Sequence, residues 1–518
     1  MALILSLFLA AIPAAEPEKP FAIEVVDSQT GRGVPLVQLE TVNNIRLYTD
    51  SNGIAAFYEP GLMHSRVFFH VKSHGYEYAK DGFGFRGKAL DIRPGGAARL
   101  EIRRVNIAQR LYRITGGGIY ADSLLVGRAA PIRRPLLNGQ VFGCDSVQTA
   151  VYHGKLYWFW GDTNRPAYPL GNFKTTGATS ALPSALDAGL PTSPKLDPDV
   201  GIDLKYFVDE SGFAKSMAPL ESDGPVWLSG LTVLRDRSGR ERMFAHYAKI
   251  HANKQSFSAY EQGLVEFDDR AEEFRQAAVF PQNGPFPNGS HSLLHADNGT
   301  NYVYFCSPFP LVRAEADPEK LKRLETYEAF TCLVPGSRLE QGRFDRAADS
   351  SLRWAWKTNT DVVGSTDIAE LVKAGKMRED ESPFCLRDAE TGKPVVAHRG
   401  TVAWNDFRRR WVMIFCEVYG SSMLGEIWYT EAENLTGPWL AARKIVTHDR
   451  YSFYNPKHHP YFDAQGGRIL YFEGTYTHTF SGNPEQTPRY DYNQIMYKLD
   501  LADPRLRLPT NNYTLPGL

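Results

Sequence analysis

Cysteine is scarce in this sequence, with five residues among 518. They are widely separated along the chain: Cys144, Cys306, Cys332, Cys385 and Cys416. This scarcity excludes a disulfide scaffold and a CxxC zinc site. Cys306 and Cys332 can pair if their strands are neighbours, whereas the alternative is that the cysteines are small buried thiols in apolar strands.

An excess of one charge sign is also absent. The chain has 58 Lys and Arg against 59 Asp and Glu, which gives a formal net charge of -1. A protein that binds a polyanion usually carries a strong basic patch or a high positive charge. No nucleic-acid partner is therefore expected.

Long apolar runs are missing apart from the first fifteen residues, MALILSLFLAAIPAA. This run ends in small residues before the acidic stretch EPEKP, which is typical of a secretory signal peptide over 1–15, although the usual basic start is lacking. A buried core strand is the alternative. No other run approaches the length of about 20 residues that a membrane helix needs. We expect a secreted or periplasmic protein without a membrane span.

Several catalytic signatures are lacking too. There is no GxSxG elbow, phosphate-binding P-loop, dinucleotide fingerprint or HExxH motif. These absences remove the enzyme classes that such motifs identify, and they favour carbohydrate chemistry by elimination only.

The residues that are abundant indicate an all-β chain. Aromatic residues make up 12% of the sequence, which also has 44 Gly and 33 Pro. This composition suits many short strands joined by turns. The length exceeds the usual limit for one hydrophobic core, so two domains are expected.

Residues 21–105 predict a small β-sandwich, because alternating strand patterns are separated by Gly, Asn and Asp turns. The phrases DSQTGRGVP and YTDSNG resemble those of the carboxypeptidase-regulatory and transthyretin-like sandwiches that accompany secreted enzymes. The resemblance implies a supporting domain without chemistry of its own. Residues 106–140 are interpreted as a linker, and 506–518 as a C-terminal tail.

Five comparable hairpin units follow within residues 141–505. They contain GCDSVQTAVYHGKLYWFWGDTN, WLSGLTVLRDRSGRERMFAHYAKI, NGSHSLLHADNGTNYVYFCSP, HRGTVAWNDFRRRWVMIFCEVYG and NPKHHPYFDAQGGRILYFEGTYTH. Repeated hairpins of this kind, extended to about four strands, form the blades of a β-propeller. The expected fold class is all-β, a five-bladed β-propeller preceded by a small β-sandwich; an ordinary β-sandwich enzyme is the alternative. Segments 317–330 and 365–377 have helical periodicity.

In a propeller, the residues that begin the first strand of each blade converge around the central channel. The residues expected there are Asp145, Ser229, Gly230, Ser290, His291, Arg399, His458 and His459. The second strands are expected to end nearby, at Asp162, His246, Glu417 and Glu473; the alternative is that strand polarity places some of these residues at the opposite rim.

This mixture of side chains suits carbohydrate, since sugars require planar rings to stack on and charged donors for their hydroxyls. Hydrolysis of a glycosidic bond needs two carboxyl groups, one protonated and one ionised. The catalytic candidates are Asp145, Glu473, Asp162 and Glu417. The substrate-binding candidates are His458, His459, His291, Arg399, Trp160, Tyr476 and His478. Each carboxyl group also has a structural alternative, such as a turn cap for Asp162 or an arginine-paired role for Glu417.

No metal site is predicted. The adjacent His458 and His459 point to opposite sides of a strand, so both rarely reach one ion. A structural calcium ion in the channel is left open, although the sequence has no oxygen-rich calcium loop.

The five units resemble the five-bladed glycosidase propellers, the group that contains arabinanases, xylosidases and fructan hydrolases. The resemblance covers roughly residues 115–505, and the phrases GDT, YNPKHHP and YFEGTY are especially similar to secreted propellers related to endo-arabinanases. The arabinanase pattern begins its first blade with an aspartate that acts as general base, and Asp145 holds that place. It then requires an aspartate and a glutamate where this chain has Ser229-Gly230 and Ser290-His291.

These departures leave Glu473, Glu417 or Asp162 as the acid, with Glu473 the leading candidate because histidines and tyrosines flank it. The expected function is a secreted glycoside hydrolase that cleaves a polysaccharide or oligosaccharide with paired carboxyl groups. The alternative is a non-catalytic carbohydrate-binding or scaffold propeller that has lost the acids. The sequence predicts neither the glycan nor the oligomeric state.

Overall fold

A computed structural model describes residues 18–183, 196–252 and 257–509. The predicted signal peptide and residues 510–518 of the predicted tail lie outside these ranges. Within them the chain is almost entirely β-structure. No helix in the same ranges has the length and apolar character to cross a membrane.

The N-terminal part forms two four-stranded sheets around one apolar core. Its strands are Phe21–Asp27 (β1), Gln38–Thr41 (β2), Arg46–Tyr48 (β3), Ile54–Phe57 (β4), Arg66–Lys72 (β5), Tyr76–Glu77 (β6), Gly87–Asp91 (β7) and Ala97–Arg104 (β8). The strand orders are β4-β1-β8-β6 and β3-β2-β5-β7. The core contains Val25 from the first sheet and Leu39 and Phe69 from the second. In β5 the residues alternate between buried and less buried positions, as a strand with one face on a core should.

The first sheet of the larger part lies between residues 147 and 206. The elements up to this point are Gln109–Arg113 (β9), Ala121–Leu125 (α1), Gly143–Cys144 (β10), Val147–Tyr152 (β11), Lys155–Trp160 (β12), Thr163–Arg165 (β13), Tyr168–Asn172 (β14), Thr176–Ser180 (β15) and Lys205–Tyr206 (β16). Sheet one has the order β11-β12-β15-β16, and β10-β13-β14 forms a small separate sheet.

Sheets two and three follow along the chain. Their strands are Val226–Arg235 (β17), Glu241–Ala252 (β18), Phe257–Asp268 (β19), Glu273–Phe280 (β20), His291–Asp297 (β21), Thr300–Cys306 (β22), Pro310–Glu315 (β23), Glu328–Thr331 (β24) and Ala355–Thr358 (β25). Consecutive strands are neighbours in both sheets, because short hairpin turns join most of them.

Sheets four and five complete the larger part. The elements are Ser365–Lys373 (α2), Arg387–Asp388 (β26), Ala397–Asn405 (β27), Arg410–Glu417 (β28), Glu426–Ala432 (β29), Ala441–Thr447 (β30), Ser452–His458 (β31), Ile469–Thr477 (β32) and Asn493–Asp500 (β33). The strand orders are β26-β30-β29-β28-β27 and β31-β32-β33-β9. Single 3-10 turns lie at Leu324–Thr326, Leu339–Gln341, Glu379–Glu381, Pro460–Phe462 and Pro504–Leu506.

The five sheets form a ring through their first strands. Strands β11, β17, β21, β27 and β31 each contact the next in that order, and β31 contacts β11. The sheets are joined by packed side chains; for example, Ile414 and Tyr429 of sheet four share a core with Leu470 and Tyr497 of sheet five. The chain therefore has a propeller-like, nearly all-β fold.

The stretch interpreted as a linker contributes a strand to this ring. Strand β9 pairs antiparallel with β33, with Arg113 opposite Ile495. Sheet five is therefore built from two segments that lie on either side of the other four sheets in the sequence.

One of the two helical segments predicted from periodicity is present. Helix α2 lies within 365–377, but 317–330 contains only a 3-10 turn and the start of β24. The helix prediction for that segment is wrong because Glu328, Ala329 and Phe330 pair with neighbouring strands of sheet three.

All five cysteines carry free thiols. Cys306 ends β22 and Cys332 follows β24, so β23 lies between their strands. This separation explains why the two residues do not pair.

Candidate functional site

The residues that begin the first strands lie together at one end of the ring, which we call the strand-start face. Gly230 N donates a hydrogen bond to Ser290 O (2.7 Å), and Asn455 Nδ2 donates to Ser146 Oγ (2.6 Å). Gln148 Nε2 also donates to Ser290 O (3.2 Å). These contacts join the beginnings of β11, β17, β21 and β31.

Three first strands have an irregular register at this face. The shifts lie between Ser229 and Thr232, between Ala397 and Gly400, and between Tyr454 and Lys457. A bulge bends its strand and changes the direction of the side chains within it. Arg399 and Asn455 therefore leave the regular alternation of their strands where the sheets meet.

Asp145 lies on this face between β10 and β11 and is half-buried. Its Oδ2 accepts a hydrogen bond from Tyr454 OH (3.0 Å). Burial raises the pKa of Asp145 to about 6, while hydrogen bonds with Tyr454 and Tyr492 and the charge of Arg399 oppose the rise. These contacts favour the ionised carboxylate at neutral pH.

Asp162 is brought beside Asp145 by the β11–β12 hairpin. A Cβ atom on Gly161 would lie 2.2 Å from Asp145 Oδ1, so glycine is required for the close approach of this carboxylate to the backbone. Burial, assisted by the charge of Asp145, raises the pKa of Asp162 to about 8. A hydrogen bond with Trp227 opposes this shift. The two carboxyl groups therefore titrate as a pair, in which Asp162 is the more readily protonated member.

Arg399 supplies positive charge near this pair. Burial lowers the pKa of its guanidinium group, and the charge of Asp145 raises it. A Cβ atom on Gly289 would lie 1.9 Å from Arg399 Nη1, so the guanidinium group packs directly against this glycine before β21.

Glu417 ends β28, which pairs with the beginning of β27, so it lies toward the same face. Its Oε2 accepts a hydrogen bond from Trp428 Nε1 (2.8 Å). Burial raises the pKa of Glu417, and the charge of Glu426 adds to the rise. The structural partner of Glu417 is thus a tryptophan rather than an arginine.

Glu473, the leading acid candidate from the sequence, lies in the middle of β32 and not at its end. The strand continues because Gly474 packs against Phe453 instead of making a turn; a Cβ atom on Gly474 would lie 2.7 Å from Phe453 Cε1. The Glu473 side chain is 0% exposed, and its Oε1 is hydrogen-bonded to His459 Nε2 (3.1 Å).

This buried pair is electrically neutral. Burial raises the pKa of Glu473 well above its usual range and lowers the pKa of His459 well below its own. A sugar cannot contact the carboxyl group in this arrangement, because both side chains are enclosed.

The remaining predicted histidines also have protein partners or lie elsewhere. His458 Nε2 bonds to Asp463 Oδ1 (2.8 Å), and His478 Nδ1 bonds to Asp491 (3.1 Å). His291 lies in the first strand of sheet three and is 4% exposed. The sequence placed His458 or His459 beside Asp145; the side chain of that segment which contacts Asp145 is Tyr454.

The two predicted sugar-stacking aromatics are core residues. Trp160 is 1% exposed and stacks on Trp158, with ring centroids 6.0 Å apart. Tyr476 is 2% exposed and stacks on Tyr451 (4.4 Å). Neither ring offers a free face to a sugar.

Sequence reasoning missed Tyr454, Tyr492 and Trp227. Tyr454 begins the phrase YNPKHHP, but the strand was expected to start later, so its hydroxyl was not considered. Tyr492 lies outside the five units and Trp227 is the first residue of the second unit, and only the assembled ring brings them to the carboxyl pair.

Ser229 and Ser290 occupy the places where the arabinanase pattern has acids. Both hydroxyls donate to the same carbonyl, Pro287 O, at 3.2 and 2.8 Å. The serines are buried and tie β17 to the loop before β21, which is a structural role.

Among the described residues, no group of three or more His, Cys, Asp or Glu side chains is arranged to hold a metal ion. His458 and His459 bond to different carboxyl groups, as adjacent residues on opposite sides of a strand do.

No protein-family model matches the chain, and no curated protein matches it in sequence. Several solved structures have similar folds. An exo-β-1,3-galactanase from Phanerochaete chrysosporium is 9% identical over 77% of this chain and 67% of its own (TM-score 0.38). A GH43_1 enzyme from Xanthomonas citri complexed with xylose is 12% identical over 72% and 91% (0.33). An exo-1,5-α-L-arabinanase from a bovine ruminal metagenomic library is 8% identical over 70% and 94% (0.34). Sequence identities of 8% to 12% do not establish a shared function.

The strand-start face can perform acid and base chemistry at neutral pH. It combines two neighbouring carboxyl groups and a guanidinium group, all half-buried, and the pKa of Asp162 is raised further than that of Asp145. Environments that separate the pKa values of two neighbouring carboxyl groups define which one donates a proton and which one accepts it.

Proposed function

We propose that this chain is a secreted or periplasmic glycoside hydrolase in which the five sheets are the blades of a propeller and the strand-start face binds the glycan. Asp145 and Asp162 form its carboxyl pair. The observation that carries the proposal is that the β11–β12 hairpin holds the two carboxyl groups in one half-buried site, where burial raises the pKa of both. Glycosidic bond cleavage requires one protonated and one ionised carboxyl group.

The roles follow from the contacts of each group. Asp162 is protonated and its Oδ1 has no hydrogen-bond partner among the described residues, so it donates a proton to the leaving-group oxygen. Asp145, held ionised by Arg399 and two tyrosine hydroxyls, acts on the anomeric carbon, either directly or through a water molecule that it deprotonates. The spacing of the two groups in the glycan complex decides between these courses.

The surrounding side chains suit a sugar ring. Trp227 and Tyr492 are half-buried beside the carboxyl groups, and Tyr419 is 75% exposed close to the end of β28. Arg399 can donate hydrogen bonds to sugar hydroxyls while it stabilises Asp145. Aromatic faces and charged donors together are the usual means of holding carbohydrate.

The test is a broad polysaccharide and oligosaccharide screen with reducing-end detection, followed by Asp145→Asn and Asp162→Asn. Both variants should lose sugar release while they keep the melting temperature of the parent. Glu210→Gln, a change of an exposed carboxylate, is the matched control and should keep full activity. Undiminished activity in either aspartate variant refutes the assignment.

A second function, carbohydrate binding without cleavage, is favoured by the structural roles of Ser229 and Ser290. If the screen yields no product from any glycan, affinity electrophoresis on the same glycans distinguishes the two. Retention of the parent, with loss of retention in Arg399→Met, supports the binding function.

A further inference from the structure

A second site is suggested by a cavity of about 710 Å³ that extends along the first strands from His291, the first residue of β21. Strands β11, β21, β27 and β31 and the turn after β31 line it. Its walls include neither Asp145 nor Asp162, so it is distinct from the site proposed above. We call it the lysine cavity after Lys457, which lines it.

The lysine cavity has a polar floor and an apolar mouth. Lys457 is 8% exposed and His291 4%, whereas Leu294 is 57% and Trp404 46% exposed. Trp404 packs edge-on against Trp411, with ring centroids 5.6 Å apart. A ligand entering from solvent therefore passes aromatic and aliphatic surface before it reaches the basic groups.

Lys457 forms no ion pair within 4.0 Å among the described residues, and the groups that favour its charged form are the more distant Cys306 and Glu473. Its cross-strand neighbour is Glu473, but the Oε1 atom of that carboxyl group is hydrogen-bonded to His459 Nε2 (3.1 Å), and burial opposes its ionisation. A buried ammonium group without a partner is costly, and natural proteins normally pair such a charge.

The other groups around the ammonium do not supply the missing charge. His458 is engaged with Asp463, and Thr149 is hydrogen-bonded to Tyr461. His291 Nδ1 is buried without a hydrogen-bond partner. Burial lowers the pKa of Lys457 to about 8, so the ammonium form still predominates at neutral pH.

We propose that the lysine cavity binds a small organic carboxylate with an apolar body. The carboxylate pairs with Lys457 Nζ and approaches His291, and the apolar body lies against Leu294, Trp404 and Trp411. An anionic head satisfies the two buried groups that lack partners, and the apolar walls exclude a ligand that is polar throughout.

The experiment is isothermal titration of the full chain with 3-phenylpropionate, with 3-phenylpropionamide as the neutral probe of the same shape and glucuronate as a carboxylate with a polar body. The acid should bind at least tenfold more tightly than either of the other two. Equal binding of the amide, or no binding of the acid, overturns the proposal.

Lys457→Met keeps the length of the side chain and removes its charge. It should weaken 3-phenylpropionate binding at least tenfold, whereas Lys373→Met, on the exposed end of α2, should leave it unchanged. An unchanged Kd in Lys457→Met contradicts the proposal. Trp404→Ala is a second variant, and because Trp404 is exposed at the mouth, the protein need not tolerate a substitution in its core. It should weaken 3-phenylpropionate binding severalfold. Unchanged binding by this variant also counts against the proposal.

Discussion

The strand-start face and the lysine cavity differ in chemistry although both are built on the first strands of the sheets. At the strand-start face, two carboxyl groups share a site with Arg399, and their pKa values are about 6 and 8. In the lysine cavity, a single ammonium group lies beneath tryptophan and leucine. The first strands therefore carry two carboxyl groups in one place and a buried ammonium group in another.

Backbone regularity accounts for much of this difference. The strand-start face contains the three register shifts and the residues on either side of the β11–β12 hairpin. Bulges and strand ends direct side chains into positions that a regular strand ladder cannot reach. Most of the lysine cavity, by contrast, is lined by regular stretches of β21 and β27, where residues such as Leu294 and Trp404 follow the ordinary alternation of a strand.

The largest expected effect comes from a change in the carboxyl pair of the strand-start face. Asp162→Asn removes the proton donor, and loss of general acid catalysis typically costs 10²–10⁴-fold in rate. We expect sugar release to fall by about that factor, while 3-phenylpropionate binds with an unchanged Kd. Loss of both sugar release and 3-phenylpropionate binding would show that the two sites are not independent.

A change of Lys457 tests the lysine cavity in the same way. Lys457→Met should reduce 3-phenylpropionate binding at least tenfold and leave kcat/KM for glycan hydrolysis within about twofold, since Lys457 does not contact the carboxyl pair. Hydrolysis and titration are measured on the same preparation. A large fall in kcat/KM would indicate that the lysine cavity belongs to the hydrolytic site.

A smaller effect is expected from Arg399→Met. The charge of Arg399 lowers the pKa of Asp145, so its removal should raise that pKa above about 6 and move the acidic limb of the pH–rate profile to higher pH. The alkaline limb, set by Asp162 near 8, should move less. Arg128→Met, at an exposed position, should leave both limbs in place; an unmoved acidic limb in Arg399→Met would exclude the assigned role.

The smallest effect concerns stability. Glu473 has a folded-state pKa well above its usual value, so its contribution is complete below about 4.5 and is lost as pH rises toward the folded pKa. Glu473→Gln mimics the protonated form and should gain Tm relative to the parent between pH 5 and pH 8. Glu210→Gln should show no such gain. A Tm difference independent of pH would mean that Glu473 is ionised in the folded protein.

The sequence was informative where local rules decide the outcome. The hairpin with HG at its turn and GDT at its end gave the place of Asp145 and Asp162, because strand pairing fixes which residues meet. The same rules failed at Glu473, which was predicted to end its strand; in the fold Gly474 packs against Phe453, so β32 continues and buries Glu473.

Other features of the site depend on contacts between distant segments. Tyr454 reaches Asp145 across 309 positions of the chain, and no local pattern encodes that contact. Lys457 stood within the phrase NPKHHP, yet the lack of a counterion around it emerges only once the first strands are assembled. Periodicity likewise could not distinguish a helix from β24 in segment 317–330, since pairing in sheet three decides it.

The pairing of β9 with β33 also constrains the order of events during synthesis. Gln494 N donates to Thr115 Oγ1, a residue 379 positions earlier, so sheet five cannot acquire its outer strand until nearly the whole chain has left the ribosome. Until then β9 presents an unpaired edge, which is prone to wrong partners. Contacts this distant in sequence are slow to form, so β9 keeps an unpaired edge until β33 is available to pair with it.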